Sequence, residues 1–252
     1  MAVAVATLLV SAQTARADAP QPGCDRAKFS IVIDVGHTPQ APGATSARGV
    51  SEFMFNLNLA HAVGAILIKA GFPATKVMET SGLGSTQLFD RAARANAIKP
   101  DLFLSLHHDS VQPRFLSQWT YEGRSLEYSD KFSGYSIFVA SNNTFSKLSL
   151  AFATRLSDAL LAAGLSYSLH HAANIEGENR TLLDASRGIY SYDGLIVLKQ
   201  TRAPAVLLEA GVIVNRAEEQ LLSTPTYQAR IGGAIVTAVT SFCAMKQAGG
   251  RS

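Results

Sequence analysis

The chain reads as one α/β domain, a twisted, mostly parallel sheet of about six strands with helices on both faces. Three observations lead there. Short apolar runs rich in β-branched residues recur along the sequence. Longer helical stretches alternate with them, several opened by serine and closed by glycine. No linker, internal repeat or low-complexity tract divides the 252 residues. At this length a chain buries roughly 70–75% of the surface it exposes when unfolded, enough for a sizeable core.

The elements follow in order. "KFSIVIDVGH" is a continuous apolar run, as expected of a strand covered on both faces. "SEFMFNLNLAHAVGAILIKAG" reads as a helix with Ser51 as N-cap, Glu52 in the first turn and Gly71 at the C-cap. "ATKVMET" is a second strand. Ser85 caps a helix through "TQLFDRAARANAIK" that stops at Pro100. "DLFLSLHH" is a third strand ending in His107 and His108, and "GYSIFVA" a fourth. The helix "SKLSLAFATRLSDALLAAG" comes next, then two expected strands, "GLIVLK" and "APAVLLEAG", and a closing helix, "TYQARIGGAIVTAVTSFCAMK". Residues 109–133 and 165–194 lack strong periodicity. Long irregular segments in a compact domain are characteristic of lids and binding loops, which makes these two the expected walls of a site.

Charge narrows the choice of partner. The balance is +3 with a pI near 8.9, and no Lys/Arg run occurs. A mild, dispersed basic excess favours an anionic polymer or surface and gives no case for nucleic acid. At the N-terminus, Ala2–Val10 is apolar and Ala15-Arg16-Ala17 has the small-x-small form of a signal-peptidase site. Residues 1–17 are therefore expected to be a secretory signal and 18–252 the mature domain, secreted or periplasmic. No other segment reaches the ~18 apolar residues of a membrane span. The two cysteines, Cys24 and Cys243, stand near the two ends, and the sequence leaves open whether they pair or remain free thiols.

In such sheets, ligands bind beyond the carboxyl ends of the strands. His37 follows the first strand, His107 the third and Glu209 the last; Glu52, in the first turn of the helix after the His37 loop, can reach the same edge. Two histidines and a carboxylate are a recurrent catalytic zinc set. Each residue alone also has an ordinary explanation. A strand-end histidine is commonly a hydrogen-bonded loop residue, and a first-turn glutamate is favoured by the helix dipole without any metal. Neighbouring strand residues point to opposite faces, so only one of His107 and His108 faces the site, the other being a solvent-facing neighbour or a substitute ligand. His61, His170 and His171 read as surface or loop residues, the last two in a candidate lid. Glu209 sits in "PAVLLEAGVIV", where an unpaired carboxylate is costly, so it must reach a cation, a polar cleft or a raised pKa.

Four blocks in this order, "IVIDVGH…PGA…RGVSE" (31–52), "LFDRAARANAIKPDLFLSLHHDS" (88–110), "GYSIFVA" (134–140) and "APAVLLEAGVIVNRAEEQLL" (203–222), resemble the zinc-dependent N-acetylmuramoyl-L-alanine amidases that cleave bacterial peptidoglycan. The resemblance implies Zn2+ held by His37, Glu52 and His107, with Glu209 as the catalytic residue, and the fold already expected. It implies hydrolysis of the amide bond between N-acetylmuramic acid and L-alanine of the stem peptide. In that reaction Glu209 takes a proton from zinc-activated water and passes it to the leaving amine. The expected partners are peptidoglycan or muropeptides, with the protein a monomer and an activator protein an open question. The chain departs from the family at Val35, Thr38 and Pro39, where proline and glycines are usual, and at Glu79-Thr80, where Thr-Arg is frequent. Some relatives insert an autoinhibitory helix after the strand matching "GYSIFVA"; here only a few residues separate that strand from the next helix. The longer segment after "SLHHDS" carries Trp119, Tyr121, Glu122 and Arg124, candidates for a lid or a glycan-facing wall.

Two other readings remain open at this level. Another zinc peptidase on the same scaffold, a carboxypeptidase, would need an arginine clamp, for which Arg48, Arg180 and Arg187 lie in suitable loops. A catalytically silent wall-binding module would have lost a ligand or the catalytic glutamate, and all four are present.

Overall fold

The computed structural model describes residues 23–249; the signal expected over 1–17 lies outside them. The strands are β1 (Ile31–Val35), β2 (Thr75–Met78), β3 (Leu102–Asp109), β4 (Ser117–Tyr121), β5 (Arg124–Tyr128), β6 (Ser136–Val139), β7 (Thr181–Asp184), β8 (Ile189–Ser191) and β9 (Ala205–Val212). The helices are α1 (Glu52–Lys69), α2 (Thr86–Ile98), α3 (Ser146–Ala162), α4 (Ile196–Gln200), α5 (Arg216–Leu222) and α6 (Pro225–Gly249). Seven strands form the main sheet in the order β2-β1-β3-β9-β6-β8-β7, and β4-β5 is a separate hairpin. The pairs from β2 through β9 are parallel, as is β6 with β8, while β6 meets β9 and β7 meets β8 antiparallel.

The sheet is buried on both faces because successive strand residues point opposite ways. Ile31, Ile33 and Val35 of β1 pack with Leu59 and Val63 of α1, Phe152 of α3 and Phe242 of α6. Val32 packs on the other side, with Ala95 of α2 and Val197 and Leu198 of α4. This two-faced burial explains why the central strands read as unbroken apolar runs.

Four expectations change. "GLIVLK" is not a strand; Ile196–Gln200 forms the short helix α4, whose Val197 and Leu198 are buried against the sheet. A short apolar run has no periodicity to tell strand from helix, and packing decided it. The sheet has seven strands because residues 165–194 supply β7 and β8. Residues 109–133 supply the β4-β5 hairpin, whose alternation of half-buried and exposed residues is too polar to stand out. Ser51 and Ser85 stand at the N-caps of α1 and α2, but neither side chain makes a capping hydrogen bond.

Cys24 and Cys243 are joined in a disulfide that ties the segment before β1 to α6. Residues 140–145 are all that separate β6 from α3.

Candidate metal centre and catalytic cleft

The loop from β1 to α1 folds back so that Glu52, the first residue of α1, returns beside His37. His37 has a left-handed backbone with φ 64, a region L-residues enter rarely. Its carbonyl is gripped by Arg91 of α2, whose Nη2 donates to it at 2.7 Å. Arg91 is itself buried, with Nη2 also donating to Thr80 and Gln87, and it pairs with Asp34 of β1. Burial raises the Asp34 carboxyl to about 6, against the opposing pull of Arg91 and the hydrogen bond from Ser105.

Three ligating groups converge. His37 Nε2 lies 2.9 Å from Glu52 Oε2, and His107 Nδ1 lies 3.0 Å from Glu52 Oε1. Ligand atoms of all three residues fall within 4.8 Å of one another. Burial disfavours the charge on Glu52, yet hydrogen bonds from His107 and His37 outweigh it and hold the carboxyl well below the usual range. Burial likewise keeps His107 below its ordinary value, which favours the neutral imidazole that a metal requires. Asn56, one turn after Glu52, donates to Glu52 Oε1 at 3.1 Å and to the Gly36 carbonyl at 3.1 Å. The backbone is pressed close to these side chains: a Cβ on Gly36 would meet the His107 ring at 2.5 Å, and one on Gly43 would strike both Glu52 and His37.

The structure settles which histidine of the "SLHH" pair faces the site. His107 points to Glu52, whereas His108 turns to the opposite face, buried, with Nδ1 2.8 Å from Asn56 Oδ1 and its ring tilted on Phe55. His108 is therefore not solvent-facing and lies outside the His37/Glu52/His107 group. His170 and His171, expected at the surface or in a loop, are buried as well, beside Asp109. Only His61 is exposed as expected, paired with Glu79.

His37, His107 and Glu209 line one cavity of about 490 Å³, together with Asp109, His171, Arg180 and Tyr192. Glu209 lies in register with His107 on neighbouring parallel strands. Its Oε2 is buried and has no hydrogen-bond partner among the described residues. Burial, with the charges of Asp109 and Glu52, raises its pKa well above the ordinary carboxyl value. The other arginines weighed from the sequence are engaged elsewhere, Arg48 with Glu219 and Arg187 with Asp158 and Asp184. The β4-β5 hairpin does not line this cavity. It braces the loop between His37 and Glu52 from outside: Trp119 Nε1 donates to the Ala47 carbonyl at 2.9 Å and Arg124 Nη2 to the Arg48 carbonyl at 3.0 Å.

Arg91, Asn56 and Asp109 escaped the sequence reading. Arg91 had a signal, an arginine among the alanines of α2; Asn56 had another, an amide one turn from Glu52 on the same face.

Fold and site together define an open-sheet α/β protein with a His/Glu/His group able to hold a metal ion beside a carboxyl of raised pKa. A family model described as N-acetylmuramoyl-L-alanine amidase matches residues 31–241. The chain belongs to that family, in which zinc dependence is typical. It is 25% identical over 238 residues to N-acetylmuramoyl-L-alanine amidase AmiA of Escherichia coli, covering 85% of this chain and 76% of the relative. Among solved structures, the catalytic domain of the amidase CwlV from Bacillus (Paenibacillus) polymyxa superposes with a TM-score of 0.60 at 26% identity, covering 85% of this chain and 97% of that one. The amidase Ami1 of Mycobacterium smegmatis shares the fold with a TM-score of 0.65 at 20% identity, covering 87% of this chain and 99% of that one.

Proposed function

We propose that His37, Glu52 and His107 hold a zinc ion and that Glu209 is the catalytic acid–base in hydrolysis of the N-acetylmuramoyl-L-alanine bond of peptidoglycan. The observation that carries this reading is the single cavity shared by His37, His107 and the unpartnered, buried Oε2 of Glu209. Two imidazoles and a carboxylate match the donor chemistry of zinc, and Asn56 supplies the outer hydrogen bond that such sites need. A zinc ion there would supply a Lewis acid for the scissile carbonyl and lower the pKa of a water to about 7.

The rest of the chemistry belongs to the chain. Glu209 accepts the proton of the attacking water and delivers it to the departing amine of L-alanine, so one carboxyl serves as base and then acid. Its raised pKa keeps the acid form accessible for the second transfer. Arg91 holds the His37 carbonyl, and the hairpin braces the loop, which fixes the ligand geometry before substrate arrives.

The compartment is secreted or periplasmic, with residues 1–17 as the export signal. The disulfide between Cys24 and Cys243 supports an oxidising destination. No described helix is long and apolar enough to cross a membrane.

The test is mass spectrometry of purified muropeptides incubated with the protein, with and without a strong chelator. Free glycan and a peptide with a new N-terminal alanine, lost on chelation and restored by zinc, are expected. Loss of a C-terminal amino acid instead would identify a carboxypeptidase and overturn the proposal.

A further inference from the structure

A second cluster of ligating side chains stands on the wall of the same cavity. Asp109, at the end of β3, meets His170 and His171 from the segment between α3 and β7, with ligand atoms of all three within 4.8 Å of one another. His171 Nε2 lies 2.8 Å and His170 Nε2 3.2 Å from the same oxygen, Asp109 Oδ2. The His170 contact lacks hydrogen-bond geometry, so Nε2 of this buried side chain is an unpartnered nitrogen aimed into the cluster.

The outer contacts are those of a ligand set. His171 Nδ1 is 2.8 Å from Glu178 Oε2, and His170 Nδ1 is 2.8 Å from Ser168 Oγ. Each ring thus has one nitrogen fixed by an outer oxygen and the other turned to Asp109, the arrangement that orients metal-binding histidines. Glu178 is in turn held by Gln112 Nε2 at 3.1 Å, and Asp109 Oδ1 accepts from the Ser110 N–H at 2.8 Å. The rings are clamped by aromatics, His170 against Phe132 and His171 against Phe138. The first cluster shares the donor set in this fold, two imidazole nitrogens on one carboxylate at 2.9 and 3.0 Å, there on its two separate oxygens and with the outer hydrogen bond, from Asn56, on the carboxylate.

We propose that Asp109, His170 and His171 form a second divalent metal site, suited to zinc or a similar borderline ion by its two-nitrogen, one-oxygen donor set. Asp109 and His171 line the cavity, so an ion held there would be reached from the cleft. The site ties the end of β3 to the 165–180 segment and sets a positive centre on the wall facing Glu209. It goes beyond the amidase assignment, which rests on different residues, so each stands or falls separately.

The test is zinc stoichiometry of the purified full chain, stripped by chelator and reloaded, counted by elemental mass spectrometry after gel filtration and by calorimetric titration. Two equivalents are expected in the unaltered chain and one in His171→Gln. A chain carrying both His37→Ala and Glu52→Gln is expected to retain one equivalent. Loaded with Co2+, that double variant should show visible d–d absorption that a further His171→Gln removes. No zinc in the His37→Ala/Glu52→Gln chain, with its fold checked by circular dichroism, overturns the proposal without requiring that any His171 variant fold.

Discussion

Glu209 of β9 stands directly across the parallel ladder from His107 of β3. The two side chains rise from adjacent strands to the same edge, and both line the cavity that His37 enters from the β1 loop. Beyond that pair the register slips, with Asp109 opposite Val212, an irregularity of the kind that re-aims side chains at functional edges. The Glu209 carboxyl and the His107 imidazole are thus positioned by backbone hydrogen bonds and not by flexible loops.

This placement predicts a clean separation of chemistry from metal binding. Glu209→Gln keeps the shape and removes the proton acceptor. Activity on muropeptides should fall about 10²–10⁴-fold, the usual worth of a general acid–base. Zinc content, measured on the same sample, should be unchanged.

Asn56 predicts the converse. It touches Glu52, the Gly36 carbonyl and His108 and lies outside the cavity lining. Asn56→Ala should weaken zinc affinity by about 10–100-fold, as loss of an outer hydrogen bond does. Competition with a chelating dye measures it, and activity should recover at saturating zinc.

His108 predicts a pH dependence of stability. Burial lowers its pKa from 6.5 to about 3, so between those values the unfolded chain binds a proton that the native chain does not. Stability from this group is fully present above pH 6.5 and is lost as pH falls toward about 3. The expected slope is about 1.4 kcal/mol per pH unit for one proton. Across this window, urea midpoints of the metal-free His108→Gln chain, whose amide can still meet Asn56, should show a slope smaller by that amount than those of the unaltered chain.

The disulfide predicts a large effect on thermal stability. Cys24 and Cys243 are 219 residues apart in sequence, and closing a long loop restricts the unfolded chain strongly. Replacing both by serine should cost about 2–5 kcal/mol. Calorimetry should record a fall in Tm of roughly 5–15 °C.

The sequence by itself determined the layered α/β plan, because central strands buried on both faces must be written as apolar runs and the helices between them as caps and amphipathic stretches. It also marked His37, Glu52, His107 and Glu209, since each stands near the carboxyl end of a strand or opens a helix at the edge where such sheets bind ligands. Tertiary structure decided what local pattern does not carry. Short apolar runs do not reveal whether they pair in a ladder, so "GLIVLK" became α4, while β7 and β8 arose from a stretch with no strong period. The choice of His107 over His108 depended on which side of β3 meets Glu52. Arg91 under the His37 carbonyl, and Asp109 meeting His170 and His171, join residues 54 to 62 positions apart. Polar contacts over such separations leave no periodic trace, because they are fixed only when the sheet brings its strand ends and its loops to one edge.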